Sequence, residues 1–326
     1  MTMLKKVFII GGTGFIGYHI CLELLKKGYL ITTLSFDKVP SGFLPETVKI
    51  ITGNTNDMSD AQLSDMLAGH EYFIFAAGAD DRVVPKAPAY PFFHKANVES
   101  VKRILGLAKT AGARKAVVLN SYFAYFNRIW PVMKLAEKHP YIRSRQAQSE
   151  AAFAVAGKEM PVAIMELPYI VGVAPGKTPL WKPLVKYVNS GMQHKFYTSG
   201  GTAVVSVRNV AEAVVNSLDR VTENSYFQIA DENMSWEKWL NSLRSNNTLP
   251  VKVITVPNLI LKLATLFVRF KHYCEGRQSG LNATSFIDLQ TKNTFLPVEE
   301  MKEKLGYGSY SLDEDLVKTI KASLNG

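Results

Sequence analysis

Short apolar runs alternate with amphipathic segments through the first half of the chain. The runs are five or six residues long and rich in Val, Ile and Phe, which is typical of buried strands, and the amphipathic segments have helical spacing. Strands that are apolar throughout and alternate with helices form a parallel sheet covered on both faces. The sequence therefore predicts an α/β fold with a doubly wound parallel sheet. The predicted strands are 5–10, 29–34, 48–52, 72–76, 115–120 and 162–167, and the predicted helices are 15–27, 58–68, 97–111 and 141–156.

After Pro168 this rhythm loosens, because Pro and Gly punctuate residues 175–183 before an amphipathic run over 184–189. Apolar runs at 203–207 and 226–230 then predict a return to the sheet. We therefore expect a first, doubly wound domain over 1–168, completed by 203–230. The remaining segments, 169–202 and 231–326, are predicted to form a smaller, interleaved C-terminal substrate region.

The segment 257–271, PNLILKLATLFVRFK, is apolar apart from Lys262, Arg269 and Lys271 and a few polar positions. A basic amphipathic helix of this kind can lie on a membrane surface, and a helix that lines or covers an apolar substrate pocket has the same pattern. No run reaches the roughly 20 apolar residues that cross a bilayer. The N-terminus also lacks the apolar core of a signal peptide. We expect a cytoplasmic protein with no integral membrane segment, and the pattern allows peripheral membrane contact at 257–271.

The chain has 326 residues, of which 47% are hydrophobic, enough to bury a large folded core. Its net charge of +10 suits an anionic cofactor or substrate. Residues 101–175 hold 11 Lys and Arg against 4 Asp and Glu. These basic residues form no stripe with aromatics, so no nucleic-acid partner is predicted. Cys21 and Cys274 are far apart in apolar segments, so we predict two buried reduced thiols, with no disulfide and no metal site.

The sequence GGTGFIG lies between the first predicted strand and helix. In a dinucleotide-binding turn, Gly11 permits the tight turn, Gly14 lets the backbone approach a pyrophosphate, and Gly17 lets the helix pack on the strand. Thr13, Phe15 and Ile16 complete the turn, and the helix N-terminus offers free N–H groups to the phosphates. The context favours a Rossmann-type NAD or NADP site.

The residues after the second strand bear on the choice between NAD and NADP. Asp37 could accept hydrogen bonds from the ribose hydroxyls of NAD, whereas Ser35 and Lys38 could hold the 2′-phosphate of NADP. The pair Ser35 and Lys38 tilts the prediction slightly toward NADP, and NAD stays open. Asn54 and Asp57, in GNTND after the third strand, either meet the adenine edge or cap their own loop.

Together these segments resemble the extended short-chain dehydrogenase/reductase family, also called the NAD-dependent epimerase/dehydratase family. GGTGFIG is similar to its TGxxGxxG fingerprint, and GNTND to its adenine-side segment. LPYIVG at 167–172, VSVRNVAEA at 205–213 and the C-terminal LGYGSYSLDEDL match later parts of its pattern. The resemblance implies a cofactor that passes over Ala76, Ala77 and Gly78 and lies near Asn97 and Pro168.

The family's catalysis requires a tyrosine, a cation four residues later and a hydroxyl that orients the substrate oxygen. By this resemblance, Tyr141 is the acid/base and Ser121, directly after the predicted strand 115–120, is the hydroxyl. Arg145 stands where the family has lysine. Spacing of four places it on the helix face of Tyr141, so it can favour the phenolate and donate to the ribose, although arginine does not release a proton.

The departures from the family pattern reduce the number of reactions that the chain could catalyse. Tyr122 and Phe123 stand where the family's dehydratases carry an acidic pair, and Thr202 and Asn209 replace the arginine and aspartate usual in nucleotide-sugar enzymes. We therefore predict an NAD(P)-dependent oxidoreductase acting on a non-nucleotide, rather apolar small molecule, nearest in character to dihydroflavonol reductases and 3β-hydroxysteroid dehydrogenases. The aromatic residues near Ser121 agree with an apolar pocket.

Two alternatives stay open. A nucleotide-sugar epimerase could clamp its diphosphate with Lys177, Lys182 or Lys186. A dinucleotide-binding sensor or interaction protein could have lost turnover with the lysine that Arg145 replaces. His94 and His139 are predicted to be structural, and the resemblance implies a homodimer through helices 97–111 and 141–156.

Overall fold

The computed structural model describes residues 5–245 and 250–325, and its largest element is a seven-stranded parallel sheet in the order β10-β6-β5-β4-β1-β2-β3. The strand order reverses between β1 and β4, which is the switch point where doubly wound sheets bind ligands. The strands are β1 (Lys6–Ile10), β2 (Leu30–Ser35), β3 (Val48–Thr52), β4 (Tyr72–Phe75), β5 (Lys115–Ser121), β6 (Val162–Leu167), β7 (Tyr169–Val171), β8 (His194–Tyr197), β9 (Gly201–Ser206), β10 (Ser225–Gln228), β11 (Glu232–Ser235), β12 (Lys252–Thr255) and β13 (Asn293–Thr294).

The helices cover both faces of this sheet, as the sequence predicts. A π-helical turn, His94–Glu99, joins two of them, and a 3₁₀ turn, Pro131–Met133, separates two others. The α-helices are α1 (Phe15–Lys26), α2 (Asp60–Leu67), α3 (Ala89–Phe93), α4 (Ser100–Thr110), α5 (Tyr122–Ile129), α6 (Leu135–Lys138), α7 (Pro140–Ala156), α8 (Lys182–Val188), α9 (Val207–Arg220), α10 (Trp236–Ser242), α11 (Asn258–Cys274), α12 (Ala283–Gln290), α13 (Val298–Leu305) and α14 (Leu312–Asn325).

Strand β1 shows why the sheet is buried on both sides. Val7 and Ile9 pack into the core under α1 and α9, while Phe8 and Ile10 pack into the core on the other face, with α2, α4 and α7. Successive side chains of a strand point to opposite faces, so a strand covered on both sides must be apolar throughout. The predicted α/β doubly wound sheet is confirmed.

The prediction that residues 203–207 return to the main sheet is wrong. Strand β9 lies in a second sheet, between β11 and β13, and also pairs with β7, while only β10 joins the main sheet beside β6. Every residue of β9 is buried, so its apolar run is the same as that of a main-sheet strand. Periodicity alone cannot assign such a run to one sheet or the other.

Helix α11 has no buried residue, and it follows the exposed two-stranded sheet formed by β8 and β12. The prediction that Cys274 is buried is therefore wrong, because this thiol lies at the exposed end of α11, whereas Cys21 is buried in the core. Within the ranges given above, no helix is long and apolar enough to cross a membrane.

Candidate active site

A cavity of about 620 Å³ opens at the switch point of the main sheet. Its floor is formed where β4, β5 and β6 end, at Ala76–Gly78, Ser121 and Pro168. One end reaches Phe15 and Ile16 in the glycine turn after β1. Because all these strands run parallel, their carboxyl ends meet at one edge and bring distant sequence motifs together.

The glycine turn has the shape that a pyrophosphate requires. A Cβ on Gly17 would lie 2.1 Å from the carbonyl oxygen of Gly11, so only glycine lets α1 approach the turn. The N-cap residue of α1, Gly14, makes no side-chain hydrogen bond to the helix. The first N–H groups of α1, at Phe15, Ile16 and Gly17, precede its hydrogen-bonding ladder and are available to an anion. The residues present therefore fit a bound dinucleotide.

The Thr13 hydroxyl links the glycine turn to the end of β2. Its Oγ1 lies 2.6 Å from Ser35 Oγ, which donates a hydrogen bond of 2.7 Å to the backbone oxygen of Asp37. Ser35 is buried, while Asp37 and Lys38 are exposed on the surface beside it. The Ser35 hydroxyl thus shapes this turn, and the two exposed charges are the groups free to meet a ribose or its phosphate.

Asn54 and Asp57 close their own loop. Asn54 Nδ2 donates to Asp57 Oδ2 over 3.0 Å, and Asn54 Oδ1 accepts from the Asn56 N–H. Their loop follows β3, two strands away from the switch point. The structure thus places these side chains as a loop cap, which is one of the two roles that the sequence allows.

Asn97 holds the segment after β4 in place. Its Oδ1 accepts from the Ala79 N–H at 2.8 Å, and its Nδ2 donates to the Ala79 carbonyl and to Ser144 Oγ. Asn97 is fully buried in the π-helical turn, a form of helix that is frequent at functional sites. It lies behind Gly78, whose added Cβ would meet Asn97 Oδ1 at 2.5 Å, so it positions the cavity wall.

The three predicted catalytic side chains meet in this cavity. Ser121 ends β5 and caps α5 by accepting a hydrogen bond from the Phe123 N–H. Tyr141 and Arg145 lie one turn apart on α7, and the Arg145 guanidinium carbon is 5.1 Å from the centre of the Tyr141 ring. All three side chains are at least nine-tenths buried and line the cavity. The structure thus brings together the three residues to which the resemblance assigns catalytic roles.

The Tyr141 hydroxyl is subject to opposing influences. Burial raises its pKa above the ordinary value of 10.0, and the negative charge of Asp81 adds to this. The charge of Arg145 and hydrogen bonds from Arg145 and Ser121 act in the opposite direction. A neutral phenol is therefore the resting form, and Arg145 favours the phenolate once the proton leaves.

Neutral groups hold Arg145. Its Nη1 donates to Gln148 Oε1 at 2.9 Å, and its Nη2 donates to the Ala79 carbonyl at 3.2 Å. Its buried Nε has no hydrogen-bond partner among the described residues. Because no carboxylate among the described residues forms an ion pair with Arg145, the guanidinium charge stays available to Tyr141 and to a ligand.

Asn120 is a positioning residue that sequence reasoning missed. Its Nδ2 donates to the backbone oxygen of Arg145 at 2.9 Å, and its Oδ1 accepts from the Ser121 N–H at 2.6 Å. One amide therefore joins β5 to α7 and sets the distance between Ser121 and the Tyr141 helix. The polar residue at the end of an otherwise apolar strand was the available signal.

Asp81 and Arg82 also line the cavity and were missed. They follow β4 in the sequence AGADDR, residues 77–82, which begins within the predicted cofactor segment. Burial raises the pKa of Asp81, and the neighbouring Asp80 adds to it. Arg82 pairs with Asp80. Asp81 is thus an acidic group in the cavity wall, beside Asp80, Arg82 and Arg145.

The far end of the cavity is an aromatic wall, drawn mostly from the second half of the chain. Tyr169 and Trp181 pack with ring centres 4.5 Å apart, and Trp181 Nε1 donates to the Ile170 carbonyl. Burial raises the pKa of Tyr197 to about 12, so its hydroxyl stays neutral. Aromatic side chains satisfied in this way form a rigid apolar surface. The aromatic lining consists of Tyr122, Phe123, Tyr169, Trp181, Tyr197 and Phe286.

The positions that depart from the family pattern have structural partners. Thr202, on β9, is fully buried and shares a hydrogen bond of 3.1 Å with the Tyr122 hydroxyl. Asn209 donates to Asp231 and to the Tyr310 carbonyl, which ties α9 to the C-terminal segment. Neither side chain lines the cavity, so neither is placed to grip a diphosphate.

The two histidines that were predicted to be structural, His94 and His139, both contact other side chains or backbone groups. His139 is fully buried, accepts at Nδ1 from the Asn282 N–H, and has a pKa lowered to about 4 by burial. His94 lies 3.2 Å from Glu99, a carboxylate partner that the sequence did not reveal. Neither residue lines the cavity.

Comparison with known proteins agrees with this geometry. Residues 7–230 match the model of the NAD dependent epimerase/dehydratase family. A putative dihydroflavonol 4-reductase from Synechocystis sp. is 22% identical across 98% of this chain and 95% of its own length. A UDP-glucose 4-epimerase from Pongo abelii is 27% identical over 42% of this chain, and the match spans less than half of the epimerase, 43%. The crystal structure of gox2253 superposes with a TM-score of 0.77 at 20% identity, covering 98% of each chain, which shows the shared fold.

Proposed function

The chain belongs to the NAD dependent epimerase/dehydratase family, and we propose that it is an NAD(P)-dependent oxidoreductase acting on a carbonyl or hydroxyl of a non-nucleotide, rather apolar substrate. One observation carries this proposal. A single cavity joins the glycine turn, the Ser121, Tyr141 and Arg145 side chains, and an aromatic wall. Cofactor, proton donor and apolar substrate would therefore meet within one volume.

Each part of the chain has a role in the reaction. The nicotinamide, when bound, supplies or accepts the hydride. In the reducing direction, Tyr141 gives its phenolic proton to the substrate oxygen as the carbonyl carbon gains hydrogen, and Ser121 donates a hydrogen bond to that oxygen. Arg145 stabilises the phenolate that remains and offers donors to the ribose. In the oxidising direction the proton returns to Tyr141.

The substrate class rests on the aromatic wall and on what stands beside Ser121. Tyr122 and Phe123 offer no carboxylate to eliminate water, and Thr202 is committed to Tyr122. The Synechocystis relative named as a dihydroflavonol 4-reductase spans nearly the whole chain, which agrees with an apolar alcohol or ketone. Residues 1–168 with β10 would hold the cofactor, and 169–202 with 231–326 would supply most of the substrate wall.

The preference between NAD and NADP would depend on two exposed charges. Lys38 could meet a 2′-phosphate and Asp37 would repel it, and the Ser35 hydroxyl supports the turn that carries both by donating to the Asp37 carbonyl. We propose a slight preference for NADP over NAD.

A panel of apolar ketones and UDP-glucose tests the proposal, with consumption of the reduced nicotinamide as the readout. We expect turnover of a ketone, a loss of about 100-fold or more in Tyr141→Phe, and retention in the matched control Tyr125→Phe. UDP-glucose that is epimerised with the oxidised cofactor present, with no net change in the oxidation state of that cofactor, would instead establish an epimerase. Tight cofactor binding without turnover of any substrate would establish a sensor.

A further inference from the structure

Helix α11 contacts the protein through polar side chains and exposes apolar side chains to solvent. A helix that packs on a protein core does the reverse. The side chains facing the neighbouring helix α12 are polar: Lys262 pairs with Asp288 at 2.6 Å, and Thr265 shares a hydrogen bond of 2.9 Å with Thr284. Arg269 also donates to Thr284. The helix is thus held on the protein by its polar face.

The opposite face of α11 is apolar and open to solvent. Phe267, Phe270 and Tyr273 are 75%, 64% and 81% exposed. A continuous apolar surface that a folded protein exposes to water marks an interaction site. Of the two roles that the sequence allowed for 257–271, lining the large cavity is wrong, because no residue of α11 lies in its wall. The exposed apolar side chains of α11 are Leu259, Ile260, Leu263, Leu266, Phe267, Val268, Phe270 and Tyr273.

The apolar surface continues just before the helix. Phe196 on β8 and Ile254 on β12 are paired neighbours in the small two-stranded sheet, and both are exposed. Strand β12 ends three residues before α11 begins. The exposed apolar face therefore consists of one helix with a strand pair at its amino end.

The charge of this segment is strongly positive. Residues 252–277 carry five Lys and Arg against one acid, Glu275, and because Lys262 is paired with Asp288 of α12 the surface keeps a net charge of +3. A second copy of the chain would present the same charge across a two-fold axis, which opposes self-association. An anionic lipid surface complements it, since apolar side chains enter the acyl boundary while the exposed cations Lys252, Lys271 and Arg277 meet the headgroups.

We propose that this face, α11 with the strand pair β8–β12, docks on an anionic bilayer, with α11 lying in the plane of the interface. The docking stands independently of the proposed reaction. Helix α12 connects the two sites, because its Thr284 and Asp288 hold α11 while its Phe286 lines the cavity. Docking therefore brings the aromatic wall within one helix of the lipid, where an apolar substrate would be dissolved.

Co-sedimentation of the full chain with phosphatidylcholine vesicles, with and without phosphatidylglycerol, tests the docking. We expect binding to the anionic vesicles, weakening at high salt, and a loss of roughly tenfold or more in the double variant Phe267→Ser/Phe270→Ser. The control Leu30→Ser removes a side chain that is 41% exposed at the amino end of β2, away from α11, and should bind as the wild type does. Wild-type protein that stays in the supernatant would overturn the proposal.

A second readout does not depend on a variant of the apolar face. Cys274 is exposed at the end of α11 whereas Cys21 is buried, so a polarity-sensitive dye labels Cys274 selectively. We expect a blue shift of the dye with anionic vesicles and none for a label at exposed Glu46→Cys in a Cys274→Ser chain. A dimer that dissociates in the double variant, with no blue shift on vesicles, would show that a second copy covers this face and would refute the lipid assignment.

Discussion

The Arg145 guanidinium carbon lies 5.1 Å from the centre of the Tyr141 ring, one helical turn along α7, and neutral groups hold it there. The family's usual residue at this position is lysine, by the resemblance of the surrounding sequence. Arginine keeps the positive charge and adds a planar set of donors, but it does not exchange a proton near neutral pH. The electrostatic part of the catalytic pair is therefore retained, and any proton relay must use another group.

The charge of Arg145 predicts a pH effect with a definite sign. Arg145→Gln removes a cation that lowers the pKa of Tyr141 against the effect of burial, so that pKa rises further. Alcohol oxidation needs the phenolate, so the rising limb of the pH–rate profile for oxidation should move to higher pH by roughly one to two units. The pH profile of kcat/KM measures this. Arg143→Gln is the matched control, because Arg143 stacks on Tyr90, and an unmoved limb in Arg145→Gln would contradict the assignment.

Asp81 predicts the opposite shift. Its negative charge raises the pKa of Tyr141, so Asp81→Asn should lower that pKa and move the oxidation limb to lower pH. Asp65→Asn is the matched control, because Asp65 is exposed on α2 and does not line the cavity. If both aspartate variants move the limb equally, or if Asp81→Asn moves it upward, Asp81 does not act on Tyr141 through its charge.

The cofactor preference depends on two exposed side chains after β2. Lys38→Ala should raise the KM for NADPH by roughly tenfold and leave that for NADH nearly unchanged, since only NADPH carries the 2′-phosphate. Asp37→Ser should lower the KM for NADPH, because it removes a repelling carboxylate. Equal effects of Lys38→Ala on both cofactors would place the lysine outside the phosphate site.

A buried ion pair predicts a pH-dependent stability. Arg128 Nη2 lies 2.6 Å from Glu166 Oε2, which is fully buried, and Gln228 donates to the same oxygen. Arg128→Leu leaves this carboxylate unpaired and should reduce the free energy of unfolding by about 3–5 kcal/mol at neutral pH. Denaturant titration measures this, and Glu166→Gln in the same chain should restore much of the loss.

The pH dependence of that loss has a fixed sign. Burial already raises the pKa of Glu166 above its ordinary value of 4.5, and loss of Arg128 raises it further. A group with a raised folded pKa is favourable while protonated and loses this contribution as pH rises through that pKa. The deficit of Arg128→Leu should therefore be small below the folded pKa of Glu166 in the wild type, which lies above 4.5, and grow as pH rises from there toward the higher pKa of the variant. A deficit independent of pH would show that lost packing of Arg128 on the Tyr226 ring, 3.8 Å away, dominates.

Much of the fold was predictable because burial on two faces leaves an unmistakable pattern. Strand β1 is apolar at Val7 through Ile10, and the structure divides these residues between the two cores. Local periodicity and strand direction contain this information. The meeting of Ser121 with Tyr141 was implied by the resemblance of the surrounding sequence to the family, and both side chains line the same cavity.

Long-range contacts that leave no local pattern were not predictable. Strand β9 has the composition of a main-sheet strand, yet its neighbours lie in a different sheet. Helix α11 is amphipathic, and the sequence does not say which of its faces meets the protein. The role of Asn120 depends on its contact with the Arg145 carbonyl, 25 residues further along the chain. Such contacts require the positions of other elements.

Single-turnover oxidation of the reduced nicotinamide by the wild type, Tyr141→Phe and Arg145→Lys tests the central claim most directly. With an apolar ketone in excess, we expect the wild type to transfer the hydride, Tyr141→Phe to bind cofactor but lose the rate, and Arg145→Lys to stay within about tenfold of the wild type. A wild type that binds the reduced cofactor without ever oxidising it, while Arg145→Lys does oxidise it, would contradict the account.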